Sequence, residues 1–542
     1  MRKMRPDSVT MPGSRWLLTV ALLILSPLHA GTQVLQVGNP GMPASLDPHR
    51  ITGVWENRIV GDMFVGLTTE GADGSIQPGA AASWEVSADG LVWTFSLREQ
   101  RWSDGTALTA DDFVYSFRRM LDPATTCAYA DFFFVIEGAE EYFSAGGAGK
   151  LGVTALDRQL LEIRLHRPVA YFPGLLMHFA AMPVPRHVVE EYGQDWTRPE
   201  HIVVNGPFRL TEQIPNARVV LEKNPEFYAA ADVALAGVVY HVQESRDALV
   251  QRFRSGELHV AVDFPSNRTD WLRETLGEAV RTAPQFGLTF IAVNHQHPAL
   301  ADLRVRTALA LALDREVIAR RLLGSGEQPA LSLVPPGTAN YREPARSPFA
   351  GQARSERIAA ARELLDAAGY GPQRPLRLGL RVPLSDNDRR VAVAAQSMWA
   401  EIGVRVEISR AETAVHYGNL QRGEFDLGLA SWLAIYSDPQ TFTLLLDSGT
   451  AANNFGGYRN DEYDRLTRAA AAEVDIARRA ELLHQAEELA LRDHGLIPVF
   501  HHSSRNLVAN SVGGWCDNPL DVHRSRYLQL LPAGQRQADG CR

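Results

Sequence analysis

Cysteine is nearly missing from this chain, with 3 residues in 542. So few cannot build a disulfide framework, and the fold has to rest on a hydrophobic core. Cys127 stands far from the other two. Cys516 and Cys541 are near enough in sequence to bond in an oxidising compartment, but spacing alone leaves their pairing open, because geometry decides it. A basic surplus is also missing. The formal net charge is −9, which argues against a nucleic-acid partner. The chain has no internal repeat, no low-complexity tract and no long Pro/Gly/Ser linker, which excludes solenoids, fibrous proteins and beads on a string. After the first 30 residues no apolar run approaches the length of a membrane span.

Catalytic and cofactor signatures are absent too. HExxH and GxSxG do not occur, and Gly146-Gly147-Ala148-Gly149-Lys150 fails the phosphate-loop spacing, with Ser144 in place of the first glycine and Leu151 in place of Ser/Thr. Gly147, Gly149 and Gly152 match GxGxxG, but a helix-like acidic stretch precedes them and a strand-like Leu160–Leu165 follows. That is the reverse of the dinucleotide-binding order, so the cluster reads as a surface loop. His484 and His494 sit ten residues apart on one expected helix, about 15 Å along its axis. With His501 and His502 they lack a zinc-like spacing to any cysteine. The chain therefore reads as a protein without catalytic residues, without a metal and without a cofactor.

What is present is ordinary globular material: 45% hydrophobic and 22% charged residues, enough for two or three domains. Residues 1–30 carry Arg2, Lys3, Arg5 and Arg15 against Asp7, then an apolar run Trp16–Leu25, then Ser26-Pro27-Leu28-His29-Ala30. This pattern predicts a secretory signal peptide rather than an anchor. Its removal takes the net charge from −9 to −12. No cysteine follows closely enough for a lipid attachment, so a protein free in the compartment beyond the inner membrane is expected.

The most informative stretch is Ala81–Pro123. Behind the Asp89-Gly90 turn, Leu91, Trp93, Phe95 and Leu97 alternate with more polar residues and predict a strand. After a second turn at Ser103–Thr106, Thr109 with Asp112 forms an N-cap pattern. Phe113, Val114, Phe117, Met120 and Leu121 then repeat at helical spacing until Pro123. Elsewhere Leu376–Val382 reads as a strand, Arg389–Ile402 as a helix and Val404–Ile408 as the next strand. This alternation makes the class α/β.

The blocks WTFSLRE, WSDGT, TADDFVYSFRR and LDP in that order resemble the bacterial extracellular solute-binding proteins of the peptide and nickel class, and within it the periplasmic oligopeptide-binding proteins. SLDPHR at Ser45, VNGPFRL at Val204, LEKNPEFY at Leu221, LRVRTALALALDREVI at Leu303, ARELLDAAGY at Ala361 and SWLAIYSDPQTF at Ser431 extend the resemblance almost end to end. It implies a two-lobed periplasmic binding protein with a hinge of two chain crossings and an additional α/β domain on the N-terminal lobe. Lobe I would be 31–64 with 186–286 and 503–542, the extra domain 65–185 and lobe III 287–502. The implied function is capture of an extended peptide or peptide-like ligand by a monomer, which delivers it to an ABC permease in the inner membrane. A periplasmic sensor that presents its ligand to a signalling receptor is the alternative, as is a binder of a non-peptide conjugate or metal chelate.

The resemblance also implies a site. Main-chain pairing to an extended ligand falls on strands at Thr52, Gly53 and Val54 and at Ser431, Trp432 and Leu433, with Trp432 and Tyr129 as walls. The family's charged readers of the ligand ends fall on unsuitable residues. Ile435 stands where an Asp meets the ligand ammonium, Thr52 where an acidic helper stands, Leu429 where an Arg meets the carboxylate, and Asp388 where a His has a similar role. Asp438 reads as a helix N-cap. The disulfide common in these relatives would join positions 287 and 433, which hold Gly and Leu here.

Overall fold

The computed structural model describes residues 33–341, 343–434, 436–449, 453–532, 534–535 and 541. The expected signal peptide and Ile435 lie outside the described residues. One mixed sheet runs through the molecule in the order Phe208–Ile214, Arg218–Lys223, Gly237–Val242, Val34–Asn39, Val260–Val262, Leu496–Val508, Val280–Val293, Leu427–Leu433, Arg377–Pro383 and Arg405–Ala411. The short strand Gln328–Pro329 adds to it by pairing with Phe500 and His501. Parallel pairing is confined to the strands flanking Val34–Asn39 and Arg377–Pro383. The two central strands, Val280–Val293 and Leu496–Val508, are long and antiparallel and belong to both halves of the sheet.

Sequence explains why the centre holds. Phe286 to Val293 is an unbroken buried run, as expected of a strand covered on both faces. Leu288, Phe290 and Ala292 enter one hydrophobic cluster, and Ile291 and Val293 enter another on the opposite face. The central ladder shifts register twice, between Thr289↔Phe500 and Phe290↔Pro498 and, more widely, between Pro284↔Ser503 and Leu288↔His501, where Gln285–Gly287 stand against His502. This is a bulge, which bends the strand locally. Gly287 is required by close approach: a Cβ there would lie 2.6 Å from Leu433 Cδ2 and 2.9 Å from His502 Cγ.

The stretch from Ala81 builds a separate four-stranded antiparallel sheet, Ala81–Val86, Val92–Leu97, Leu160–Arg164 and Val153–Ala155. Helix Ala110–Met120 follows with Thr109 at its N-cap, the Thr109 amide donating to Asp112 Oδ2 at 2.8 Å. Phe113, Phe117 and Met120 are buried on its inner face, and the helix stops before Pro123. The helix expected from Arg389 begins at Asp386, because Ser385 Oγ caps it by accepting the Asp388 amide. The strands expected at Leu376–Val382 and Val404–Ile408 run Arg377–Pro383 and Arg405–Ala411. The glycine cluster around Gly147 is an exposed loop after helix Ala139–Ser144. Cys516 and Cys541 are disulfide-bonded with Cα atoms 5.1 Å apart, which settles the pairing left open by spacing, and Cys127 is free. Among the described residues no helix is long and apolar enough to cross a membrane, and no cluster of His, Cys, Asp or Glu could hold a metal.

Candidate binding cleft

A cavity of about 550 Å³ opens over the central strands. Its floor is Gln285, Thr289, Phe500 and His502–Arg505. One wall is the start of helix Val54–Met63 with the tail segment Leu520–Arg524. The other is the start of helix Asp386–Glu401 with Ser431 and Leu433.

Side-chain alternation on Leu427–Leu433 decides which residues reach it. Leu427, Leu429, Ser431 and Leu433 share one face. At the deep end that face is packed core, where Leu429 is paired with Ile291 and fully buried. Two residues further on it becomes cleft: Ser431 lies opposite Thr289, whose hydroxyl is 2.7 Å from Ser431 Oγ and 2.9 Å from His502 Nε2. Burial holds His502 neutral, with its pKa pushed down to about 3.

Of the residues singled out from sequence, Val54, Asp388, Ser431 and Leu433 line the cavity. Five others are placed differently from expectation. Thr52 and Gly53 are not a strand but the lead into helix Val54–Met63. Glu56 Oε2 accepts both their amides at 2.8 Å, and Oε1 accepts the Ala44 amide at 2.8 Å. Those two N–H groups are therefore occupied. Tyr129 does not line the cavity. It packs on His178 and Phe179 and donates its hydroxyl to the Thr52 carbonyl at 2.8 Å, bracing the lip from behind. Trp432 points to the face opposite Ser431, against the cluster of Leu288, Phe290 and Ala292, with Nε1 donating to Thr441 Oγ1 at 3.1 Å. Leu429 is too short to reach from its buried position into the cleft. Ile435 lies outside the described residues.

Charges in the cleft were not visible in the sequence. Arg505 bridges Asp263 at 2.7 Å and Glu327 at 3.4 Å, and Arg246 adds a contact to Asp263 at 2.6 Å. Arg524 pairs with Glu70 at 2.7 Å, and Asp521 lies 3.1 Å from His523. Arg58 donates to Asn39 and lies within the field of Asp521 and Asp263. Asp388 has no cation among the charges that act on it, and burial raises its pKa despite a hydrogen bond from Ser385. Strand period could not have found these residues together, because His502 and Arg505 are three residues apart and an alternation of two places them on opposite faces. The other carboxylates and guanidiniums come from segments far apart in sequence.

Asp438 is committed elsewhere. It is fully buried and bonded through both oxygens to Arg479 at 2.7 and 2.8 Å, while Oδ1 also accepts the Gln440 amide at 2.9 Å. The Arg479 guanidinium lies over the ring of Tyr171, 5.4 Å from its centre, and Tyr171 stacks on Tyr436 with centroids 4.9 Å apart and an interplanar angle of 1°. This clasp ties the segment after Leu433 to the side of the molecule carrying the smaller sheet.

A cleft floored by the two long central strands and walled by elements from both halves of the sheet defines a two-lobed binding protein. The match to the model of bacterial extracellular solute-binding proteins, family 5, covers residues 75–454, and the chain belongs to that family. Its sequence is 35% identical to the periplasmic murein peptide-binding protein of Escherichia coli K12, covering 90% of this chain and 91% of that one. The periplasmic oligopeptide-binding protein of Salmonella typhimurium is 36% identical, with 93% of each chain covered. A third relative, the probable deoxycholate-binding periplasmic protein YgiS of E. coli K12, is 32% identical over 95% of this chain and 98% of its own. The solved structure of the E. coli murein tripeptide binding protein superposes with a TM-score of 0.80 at 34% identity, covering 93% of this chain and 99% of the other.

Proposed function

We propose that this protein captures an extended peptide or peptide-like ligand in the periplasm and hands it to an ABC permease in the inner membrane, acting as a monomer exported by the signal peptide at 1–30. The lobes in this reading are 31–64 with 186–286 and 503–542, and 287–502, with the extra domain at 65–185. The bulge at Gln285–Gly287 serves as part of the hinge. Ligand bridging the lobes shifts an open and closed equilibrium, and the closed form is what the permease recognises.

The ligand's amino end is blocked, absent or left in solvent. The observation that carries this is the apolar character of the rim: Val54, Trp55 and Leu433 line the cleft while 64%, 37% and 45% exposed, and the position of the family's ammonium-reading Asp holds Ile435. An ammonium closed in against such groups without a carboxylate costs several kcal/mol. Calorimetric titration with free tri- to pentapeptides beside their N-acetylated forms tests it. N-acetylated peptides are expected to bind at least as tightly, and a clear preference for the free amines refutes the reading. The same exposed apolar wall favours one second reading, a non-peptide amphiphile such as the bile acid named for the E. coli relative. Saturable deoxycholate binding with no peptide binding would select it.

A further inference from the structure

The cleft is lined by four carboxylates, Asp263, Glu327, Asp388 and Asp521. Three of them have a positive neighbour: Asp263 and Glu327 share Arg505, and Asp521 lies in the field of Arg58. The fourth does not. Asp388 sits in the first turn of helix Asp386–Glu401, where its amide is taken by the cap residue Ser385, and the Ser385 hydroxyl also serves its carboxylate. An acid in a helix's first turn is ordinary. Three further observations set this one apart: it faces the cavity, no cation among the described residues lies within ion-pair distance, and the wall it occupies is the one that meets the opposite lobe. Ser266 of the Val260 side donates to Asn387 Oδ1 at 3.0 Å, one residue away.

Closing the lobes removes water from Asp388. A carboxylate that loses its solvent without gaining a counter-charge opposes that step, and a carboxylate that gains one favours it. The cleft therefore closes readily only over a ligand that brings a cation to this point. Val391, one turn along the same helix face, and Leu323 and Phe500 line the cavity as well and offer an apolar track for an aliphatic stem. We infer that Asp388 is a specificity-determining residue, and that the ligand carries an ammonium or guanidinium on an aliphatic stem which docks on Asp388 from the lobe of Ser431. This rests on the peptide-like reading above and adds to it the position and sign of a ligand charge.

The test uses the exported chain freed of bound ligand and three N-acetylated, C-terminally amidated tripeptides, Ala-Ala-Lys, Ala-Ala-norleucine and Ala-Ala-Glu, measured by calorimetry. The lysine peptide is expected to bind about tenfold or more tightly than the norleucine peptide, the size of one charge-assisted hydrogen bond. In Asp388→Asn that ratio is expected to fall to near one with norleucine affinity unchanged, which also reports an intact cleft. Asp388→Lys is expected to favour the glutamate peptide. Equal binding of the lysine and norleucine peptides by the natural chain, or a lysine preference that survives Asp388→Asn, overturns the inference while leaving the peptide reading in place. If none of the three binds, the peptide reading falls and the inference with it.

Discussion

Replacing Asp438 by Ala removes one half of a bidentate ion pair from a site where the carboxylate is fully buried and the Arg479 side chain is 3% exposed. The guanidinium would lose its two carboxylate bonds, at 2.8 and 2.7 Å, and keep only its place over the Tyr171 ring. Breaking a buried pair on one side leaves an uncompensated charge and costs about 3–5 kcal/mol. Loss of the cap on the Gln440 amide adds about 1 kcal/mol. Arg479→Met on its own strands the carboxylate instead and is expected to cost a similar amount. The double variant Asp438→Leu with Arg479→Met removes both charges, keeps the volume beneath the Tyr171–Tyr436 stack and is expected to cost less than either single change. A chain of this size does not unfold in one step, so a single midpoint is the wrong readout. Native-state hydrogen exchange at the amides of helix Gln440–Thr443 and of helix Ile476–Asp493 reports the site itself. Single-variant losses under about 1 kcal/mol, or a double variant whose cost equals the sum of the singles, would refute the account of the clasp as a coupled buried pair.

Glu56→Ala is expected to destabilise the lip by about 3 kcal/mol or more, because three backbone amides, of Ala44, Thr52 and Gly53, lose their acceptor at once. Native-state hydrogen exchange along helix Val54–Met63 measures this, and a loss under about 1 kcal/mol contradicts the role given to Glu56. Trp432→Phe removes the bond to Thr441 and some packing, so stability should fall by about 1–2 kcal/mol. Ligand affinity should change less than about threefold, and a large affinity loss at unchanged stability would place Trp432 in the cleft after all. Acid should also weaken the fold well above the carboxylate range. Burial holds His49 and His501 down to about 4 and His178 and His502 down to about 3. Below pH 6.5 the unfolded chain takes up protons at these positions while the folded chain does not. Stability therefore falls as pH falls from 6.5 towards 4, by up to about 1.4 kcal/mol per pH unit for each histidine. An opening free energy from hydrogen exchange along Leu496–Val508, corrected for the intrinsic exchange rate, that stays constant between pH 6.5 and 5 would show that His501 and His502 are not buried neutral.

The parts of this protein that were legible in sequence are those fixed by short-range patterns. Thr109 and Asp112 lie three residues apart, and the helix they start, with its buried Phe113, Phe117 and Met120, follows from spacing alone. Thr52-Gly53-Val54 was misread as a strand although the corrective signal was equally local: Glu56 is three residues after Gly53, the place from which a carboxylate reaches back to the amides before a helix. Leu427–Leu433 illustrates a different limit. Its alternation fixes that Ser431 and Leu433 share a face and that Trp432 lies on the other, but not which face meets the cleft. That depends on Thr289 and His502, contributed by strands more than 60 residues away on either side.

The cleft's charges were illegible for the same reason, and they alter what the family likeness means for the ligand. Taken position by position, Thr52, Leu429 and Ile435 describe a binding site that has lost its charged readers. In three dimensions the cleft is not short of charge: Arg505, Asp263, Glu327 and Arg246 form a bonded network beside the central strands, Asp521 lies in the field of Arg58, and among the described lining residues the carboxylate without a cation is Asp388, on the wall of helix Asp386–Glu401. A network that is already paired gains little from a ligand and opposes nothing when the lobes close, whereas the unpaired carboxylate does both. Selectivity in this cleft therefore concentrates at Asp388, and a substitution within the paired network, such as Arg246→Gln, should alter stability and leave the ranking of cationic over neutral ligands unchanged.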